Sequence, residues 1–172
     1  MIILTGSTGG IGKELIGHLS KTDKVIGIYN KSVGKAADRD NTSYEKIDIR
    51  DASDIKSFVD RRKTDFLRLT LIHSAVCNID GLFAAYKETD WDMVMGINLK
   101  GNFLLTKALL PYMIQEKWGR IIHISSVVGM KGRGGTVAYS ASKTALLGMS
   151  GVLASEYGRF NITSNILNLG YF

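Results

Sequence analysis

The residues that could perform chemistry together lie in the second half of the chain, where a tyrosine is followed four residues later by a lysine. Tyr139 and Lys143 begin an Ala-rich, helix-forming segment, so one face of a helix would carry both side chains. An ammonium beside a phenol favours the ionised phenol, which suits a general acid/base. Ser126 follows the apolar segment Ile121 to Ile124 and the polar Ser125, so its hydroxyl could bind a substrate oxygen that Tyr139 protonates.

A second functional pattern stands at the N-terminus, where a short apolar strand leads through a glycine-rich turn into a helix. The strand is predicted from Ile2 to Leu4, the turn reads Thr5-Gly6-Ser7-Thr8-Gly9-Gly10-Ile11-Gly12, and the helix is predicted from Lys13 to Leu19. Bare backbone lets a pyrophosphate approach, and the unpaired amides at the start of the helix bind the anion. This context matters, because a Tyr-x-x-x-Lys pair alone is common on solvated helices.

Together these motifs resemble the short-chain dehydrogenase/reductase family, in its single-domain branch, and most closely the 3-oxoacyl-acyl-carrier-protein reductases. Ser126 lies thirteen residues before Tyr139, as in that family, and the resemblance extends from Ile2 to Gly170. It implies that hydride moves between nicotinamide and a carbonyl or alcohol carbon while Tyr139 transfers the proton. Ser126 would steady the oxygen, and Lys143 would act on Tyr139 and bind the ribose.

The resemblance also implies a relay residue and a set of cofactor contacts. Asn98-Leu99-Lys100-Gly101 matches the family's Asn-x-x-Gly, in which the asparagine holds a water that passes protons to the lysine; a buried asparagine that only binds backbone is the alternative. The implied cofactor contacts are Gly6, Ser7, Thr8, Gly10, Ile11, Gly12, Asn30, Lys31, Asp48, Ile49, Ala75, Tyr139 and Lys143.

The end of the predicted second strand, Val25 to Tyr29, should select the cofactor, because it meets the adenosine ribose. A carboxylate there would bind the 2′-hydroxyl of NAD and repel the 2′-phosphate of NADP. The chain has Asn30, Lys31 and Ser32 instead, so NADP is favoured over NAD, although Gly9 lacks the basic side chain that many NADP-dependent relatives carry.

Asp48 ends the predicted third strand, Tyr44 to Asp48, and two roles are open to it. In the family, this position with Ile49 meets the adenine. Alternatively, Asp48 caps a helix that starts near Ala52, a role that Asp51 could also take.

Short apolar strands alternate with helices along the rest of the chain. This alternation predicts one α/β domain over residues 1–172, a Rossmann-type, doubly wound and mostly parallel sheet in the order 3-2-1-4-5-6 with helices on both faces. The remaining predicted strands are Leu69 to Ile72, Arg120 to Ile124 and Ile162 to Leu167, and the long helices are Trp91 to Gln115, with a kink or restart at Pro111, and Ala138 to Tyr157. The loop Gly129 to Gly135 is expected to be mobile. Because the family typically continues with Pro-Gly, the resemblance implies that a substrate lid and a seventh strand are absent.

Two features keep other functions open. His73-Ser74-Ala75-Val76 replaces the family's Asn-Asn-Ala-Gly and resembles the His-x-Ala-Ala of sugar-nucleotide epimerases and dehydratases, and Gly6, Gly9 and Gly12 fit their turn spacing as well. His73 itself is expected to be a satisfied histidine at a strand end and not a base. The expected absence of the C-terminal segment supports a third function, a catalytically weak nucleotide-binding module.

Composition excludes several classes of protein. The net charge is +6, but Lys and Arg are scattered, and their one cluster, Arg61-Arg62-Lys63, is interpreted as a solvated helix face and not a nucleic-acid site. The short apolar N-terminus and the lack of a long apolar run predict a soluble cytoplasmic protein without a membrane span. Cys77 is the single cysteine, and the sequence contains no Cys/His cluster of the kind that would predict a metal site.

A basic surface suits small anions or an acidic carrier protein, and the two long helices predict a homodimer or homotetramer.

Overall fold

The computed structural model describes residues 1–31 and 41–170, and within these ranges the chain forms a six-stranded sheet in the order β3-β2-β1-β4-β5-β6. All five strand pairs are parallel, which confirms the predicted topology. The strands are β1 (Ile2–Thr5), β2 (Val25–Tyr29), β3 (Thr42–Lys46), β4 (Thr70–His73), β5 (Gly119–Ser126) and β6 (Ile162–Leu169). Ser32, part of the predicted cofactor-selecting segment, lies outside the described residues.

Six α-helices connect these strands in the described ranges. They are α1 (Gly10–Leu19), α2 (Ala52–Arg62), α3 (Glu88–Met95), α4 (Gly101–Gln115), α5 (Val127–Lys131) and α6 (Val137–Tyr157). A π-helical turn, Gly96–Lys100, joins α3 to α4. Short 3₁₀ turns occur at Lys63–Asp65, Phe83–Ala85 and Gly158–Phe160. None of the helices in the described part of the chain is long and apolar enough to cross a membrane.

Helices cover both faces of the sheet, because the inner strands are apolar on both sides. The larger core packs α2, α4 and α6 against the sheet, with Phe58, Leu105, Leu109 and Ile121 fully buried. On the opposite face, Ile16 of α1 packs with Ile2, Leu4 and Ile72. Continuous apolar strands are typical of parallel sheets that are buried on both faces.

Several predicted boundaries were wrong, for local physical reasons. β3 begins and ends two residues before the predicted strand, because its register is set by pairing with β2 from Val25 to Tyr29. As an edge strand, β3 can include the polar residues Thr42 and Ser43. α1 begins at Gly10, so the last glycines of the turn form the first helical turn.

The region predicted as one helix from Trp91 is interrupted at Gly96–Lys100, and α4 runs through Pro111 without a restart. Part of the expected loop at Gly129 to Gly135 is helical, because Ser126 caps α5: the Val128 N–H donates to Ser126 Oγ at 3.2 Å.

Candidate active site

A cleft of about 630 Å³ lies at the carboxyl ends of the strands, where β1 separates the β2 side of the sheet from the β4 side. The glycine turn forms its floor. Gly6 has a φ of +68°, and a Cβ there would lie 2.7 Å from the Ala75 Cα. Thr5 Oγ1 accepts hydrogen bonds from the Ser74 and Ala75 amides at 3.1 and 3.0 Å, so the end of β4 is tied against the turn. Sequence reasoning missed this role of Thr5.

Ten of the thirteen predicted cofactor residues fall into two groups around this cleft. Those that line it are Gly6, Thr8, Asn30, Lys31, Asp48, Ile49 and Ala75. Gly10, Ile11 and Gly12 form the first turn of α1 beside it. Ser7 differs, because its hydroxyl and its amide both donate to the Ile28 carbonyl, at 3.0 and 3.1 Å, and its side chain is buried. Ser7 therefore supports the turn from below.

Asp48 lies at the rim of the cleft and is paired with Arg50, a residue that sequence reasoning missed. The Arg50 guanidinium, hydrogen-bonded to the carboxylate, lowers the pKa of Asp48 to about 2. The capping role belongs to Asp51, which accepts from the Ser53 amide at 2.7 Å. Asp48 is therefore not the helix cap that the sequence left open as an alternative.

Lys143 lies one helical turn after Tyr139 on α6, as predicted, and is buried with 5% of its surface exposed. Its Nζ donates to the Ile124 carbonyl of β5 at 2.6 Å and lies 5.6 Å from the centre of the Tyr139 ring. Burial lowers the pKa of Lys143 to about 8, so the amine is mostly charged at neutral pH. Ser126 stands two residues after Ile124, where β5 ends and α5 begins.

Gly129 allows α5 to approach this helix. A Cβ at Gly129 would lie 2.8 Å from the Lys143 Cβ, and the Thr144 hydroxyl donates to the Gly129 carbonyl. Any larger residue at Gly129 would therefore push α5, and Ser126 with it, away from Lys143.

Asn98 is fully buried in the π-helical turn, and its side chain is occupied by protein groups. Its Oδ1 accepts from the Cys77 amide at 2.8 Å, and its Nδ2 donates to the Cys77 carbonyl at 2.9 Å and to Ser142 Oγ at 3.1 Å. Ser142 in turn donates to the Tyr139 carbonyl at 2.7 Å. Asn98 thus connects the loop after β4 to α6, next to both Tyr139 and Lys143.

Two buried histidines lie below the site, in register on β4 and β5. The rings of His73 and His123 are stacked with their centres 5.0 Å apart and an interplanar angle of 8°. His73 Nε2 pairs with the Thr106 hydroxyl at 2.8 Å, and His123 Nε2 pairs with Ser164 Oγ at 3.3 Å. Burial lowers the pKa of both, to about 4 for His123, so both are neutral at working pH. His73 is therefore a buried structural residue and cannot reach a ligand; His123 was missed.

Comparisons with known proteins agree with this architecture. A family profile described as short chain dehydrogenase matches residues 1–172. A 3-oxoacyl-acyl-carrier-protein reductase of Rickettsia conorii is 34% identical, and nodulation protein G of a Rhizobium strain is 33% identical; in each case 98% of this chain aligns with 71% of the relative. A short-chain dehydrogenase structure from Streptomyces avermitilis superimposes with a TM-score of 0.91 at 28% identity, over 99% of this chain. The chain spans 66% of the length of that structure.

Proposed function

Since the chain belongs to the short-chain dehydrogenase family, we propose that it is an oxidoreductase that transfers hydride between NADP and a carbonyl or secondary alcohol. The observation that carries the proposal is the buried, charged Lys143 one turn from Tyr139, at the same edge of the sheet as the nucleotide cleft. An ammonium held beneath a phenol favours proton transfer by that phenol.

The residues present fit a dinucleotide. The turn offers bare backbone at Gly9 and Gly10, and a Cβ at Gly10 would meet nothing within 4 Å. The N-terminus of α1 follows directly, and the first turn carries no acidic side chain that would repel a phosphate. When bound, the nicotinamide supplies or accepts the hydride.

The side chains around Lys143 then take separate tasks. Tyr139 gives the proton to the substrate oxygen or takes it back, and the buried Lys143 lies one helical turn away, with its Nζ 5.6 Å from the centre of the Tyr139 ring. Ser126 Oγ accepts from the Val128 amide, which leaves its own proton for the substrate oxygen. The Asn98 side chain is engaged with Cys77 and Ser142, and its backbone carbonyl accepts from Asn102 Nδ2 at 2.9 Å, so Asn98 supports the site by holding the loop after β4 against α6.

NADP is the proposed cofactor because of the charges at the adenosine end of the cleft. Lys31 and Arg50 line it with one carboxylate, Asp48, so the sum of these charges is positive and attracts a 2′-phosphate. Lys31→Glu should reduce the preference for NADPH over NADH, and Lys21→Glu, at an exposed position after the C-terminal end of α1, controls for the change in net charge. Equal affinities for the two cofactors in the parent, unchanged in Lys31→Glu, would contradict the assignment.

The finer proposal for the substrate is a 3-oxoacyl thioester on an acyl carrier protein. Its support is the name of the Rickettsia relative and the net charge of +6, which suits an acidic carrier. The epimerase alternative rested on the turn spacing and on the segment from His73 to Val76, and the buried His73, paired with Thr106, offers no base for it.

A homodimer or homotetramer is proposed from the surface between α4 and α6. A groove of about 360 Å³ lies there, and Phe103 and Val152 on its rim are 49% and 55% exposed. Apolar helix faces of this kind suit a self-complementary two-fold contact. Sedimentation as a monomer at micromolar concentration would contradict it. The expected cytoplasmic location stays a prediction.

Tyr139→Phe tests the mechanism, because it removes one hydroxyl and leaves the helix intact. General acid/base catalysis contributes roughly 10²- to 10⁴-fold, so turnover of a small ketone with NADPH should fall at least a hundredfold while cofactor affinity stays the same. Tyr157→Phe, at the other end of α6, is the matched control. Turnover of Tyr139→Phe within about threefold of the parent would sink the mechanism. Cofactor binding without turnover of any carbonyl by the parent would favour a nucleotide-binding module.

A further inference from the structure

Arg50 is the one guanidinium among the described residues that line the nucleotide cleft. It follows β3 by four residues and lies at the rim with Asn30, Lys31 and Asp48. Its side chain is 38% exposed, so it is neither buried nor fully solvated. The cofactor preference proposed above uses only the charge of Arg50 and leaves its planar guanidinium group without a role.

The hydrogen bonds from Arg50 occupy most of the acceptor positions of the Asp48 carboxylate. Oδ1 accepts from the Arg50 backbone N–H at 3.0 Å and from its Nε at 2.9 Å, and Oδ2 accepts from Nε at 3.1 Å and from Nη2 at 2.5 Å. The Asn30 side chain also helps to lower the pKa of this carboxylate. Since a carboxylate offers about four acceptor positions, these donors nearly saturate it. A base amino group that approached Asp48 would have to displace one of them.

The same contacts hold the guanidinium plane in place. Its Nε and Nη2 edge is fixed by the two oxygens of Asp48, and Nη1 lies 3.0 Å from the sulfur of Met93 on α3. Met93 and Ile97 line the same cleft. A planar cation that is fixed along its edge, lines the cleft and is 38% exposed is suited to stack on an aromatic ring.

We propose that Arg50 forms the platform on which the adenine ring of the cofactor stacks, and that Asp48 positions Arg50 instead of binding the adenine amino group. This inference rests on the proposed function, because it assumes a dinucleotide in the cleft. Stacking depends on the π-face, which all purines share, whereas a hydrogen bond to the amino group requires adenine. The base of the cofactor should therefore be recognised by shape and not by its exocyclic group.

The experiment measures dissociation constants of the full chain for NADPH, for its hypoxanthine analogue, in which a carbonyl replaces the amino group, and for 2′-phospho-ADP-ribose. The parent should bind NADPH and the hypoxanthine analogue within about threefold of each other, because both present the same face. Arg50→Ala should weaken all three ligands by a similar factor, roughly 5- to 100-fold, which corresponds to the loss of one stacked base. Arg50→Lys keeps the charge but loses the plane, so it should weaken them nearly as much.

Arg61→Ala is the matched control, because Arg61 is an exposed arginine on α2 that pairs with Glu45 at 3.0 Å. Thermal denaturation of each variant shows whether it is folded. At least tenfold weaker binding of the hypoxanthine analogue to the parent, with the discrimination lost in Asp48→Asn, would overturn the proposal, since Asp48 would then bind the amino group. Unchanged affinities in Arg50→Lys would overturn it as well. Failure of the folded parent to bind either NADPH or NADH would refute the proposed function, and the platform with it.

Discussion

Replacing Lys143 with methionine should stabilise the fold while it abolishes activity. Burial lowers the pKa of Lys143 from 10.5 to about 8, so the folded protein binds this proton less tightly than the unfolded chain does. Below about pH 8 both states are protonated and folding carries the full cost of the buried charge; the cost disappears as the pH rises towards the unfolded pKa. The difference between the two pKa values corresponds to about 3 kcal/mol of unfolding free energy at neutral pH.

The methionine variant also loses a favourable contact, and this loss reduces the expected gain in the free energy of unfolding. The hydrogen bond from Nζ to the Ile124 carbonyl disappears, at a cost of about 1 to 2 kcal/mol. The aliphatic part of the side chain is retained, so no large cavity forms. The variant should therefore be more stable than the parent by about 1 to 2 kcal/mol near pH 7, or roughly 2 to 8 °C in melting temperature.

Urea unfolding followed by the fluorescence of Trp91 and Trp118 measures this difference. Between neutral pH and about pH 9.5, the advantage of Lys143→Met should shrink by about 2 kcal/mol, because the parent amine loses its proton in the folded state first. Lys13→Met, on the exposed face of α1, is the control and should show no such trend. A methionine variant that is less stable than the parent at pH 7, or a difference that does not change with pH, would refute the account of Lys143.

Two further changes test the turn and the core. Gly12→Ala would place a Cβ 2.1 Å from the Gly6 carbonyl oxygen, so the free energy of unfolding, measured by thermal denaturation, should fall by about 1 to 3 kcal/mol. Gly10→Ala places its Cβ in open space, so its free energy of unfolding should not fall. His123→Gln should reduce acid sensitivity. The folded pKa of His123 lies near 4, below the unfolded value of 6.5, so its contribution to stability is present above pH 6.5 and lost as the pH falls towards 4. Between pH 7 and about 4.5 the parent should lose roughly 2 to 3 kcal/mol more than this variant, whereas His18→Gln should follow the parent. Equal losses in Gly12→Ala and Gly10→Ala, or in His123→Gln and the parent, would contradict these assignments.

The features that the sequence predicted well are those that the chain determines locally. The β1, glycine turn and α1 unit is contiguous, and the spacing of Tyr139 and Lys143 places both on one face of α6 whatever the rest of the chain does. Ser126 could be placed at the end of β5 because the apolar run before it is buried. The periodicity of the apolar residues and the positions of the glycines are enough to predict such features.

The features that the sequence did not predict depend on contacts between distant segments. His123 is notable only because β4 and β5 are neighbours in parallel register, which brings it beside His73, fifty residues earlier in the chain. Given the predicted strand order, two histidines near the ends of adjacent strands were a usable signal. Arg50 is different, because its importance depends on how the loop after β3 folds back on Asp48, and periodicity does not describe loops.

Asn98 shows how the two kinds of feature combine at the site. The Asn-x-x-Gly motif is local, but the π-helical turn that carries it turns the amide towards the loop after β4, where both of its ends bind the Cys77 backbone. Gly101, the last residue of the motif, lets the helix pack closely against the cofactor cleft, because a Cβ there would lie 2.7 Å from the cleft residue Ile49. A buried amide that meets three partners holds them at a fixed separation, since losing any one would leave a polar atom unpaired. Asn98 therefore fixes the distance between the cofactor cleft and the helix that carries Tyr139, and hydride and proton transfer to one substrate both depend on that distance.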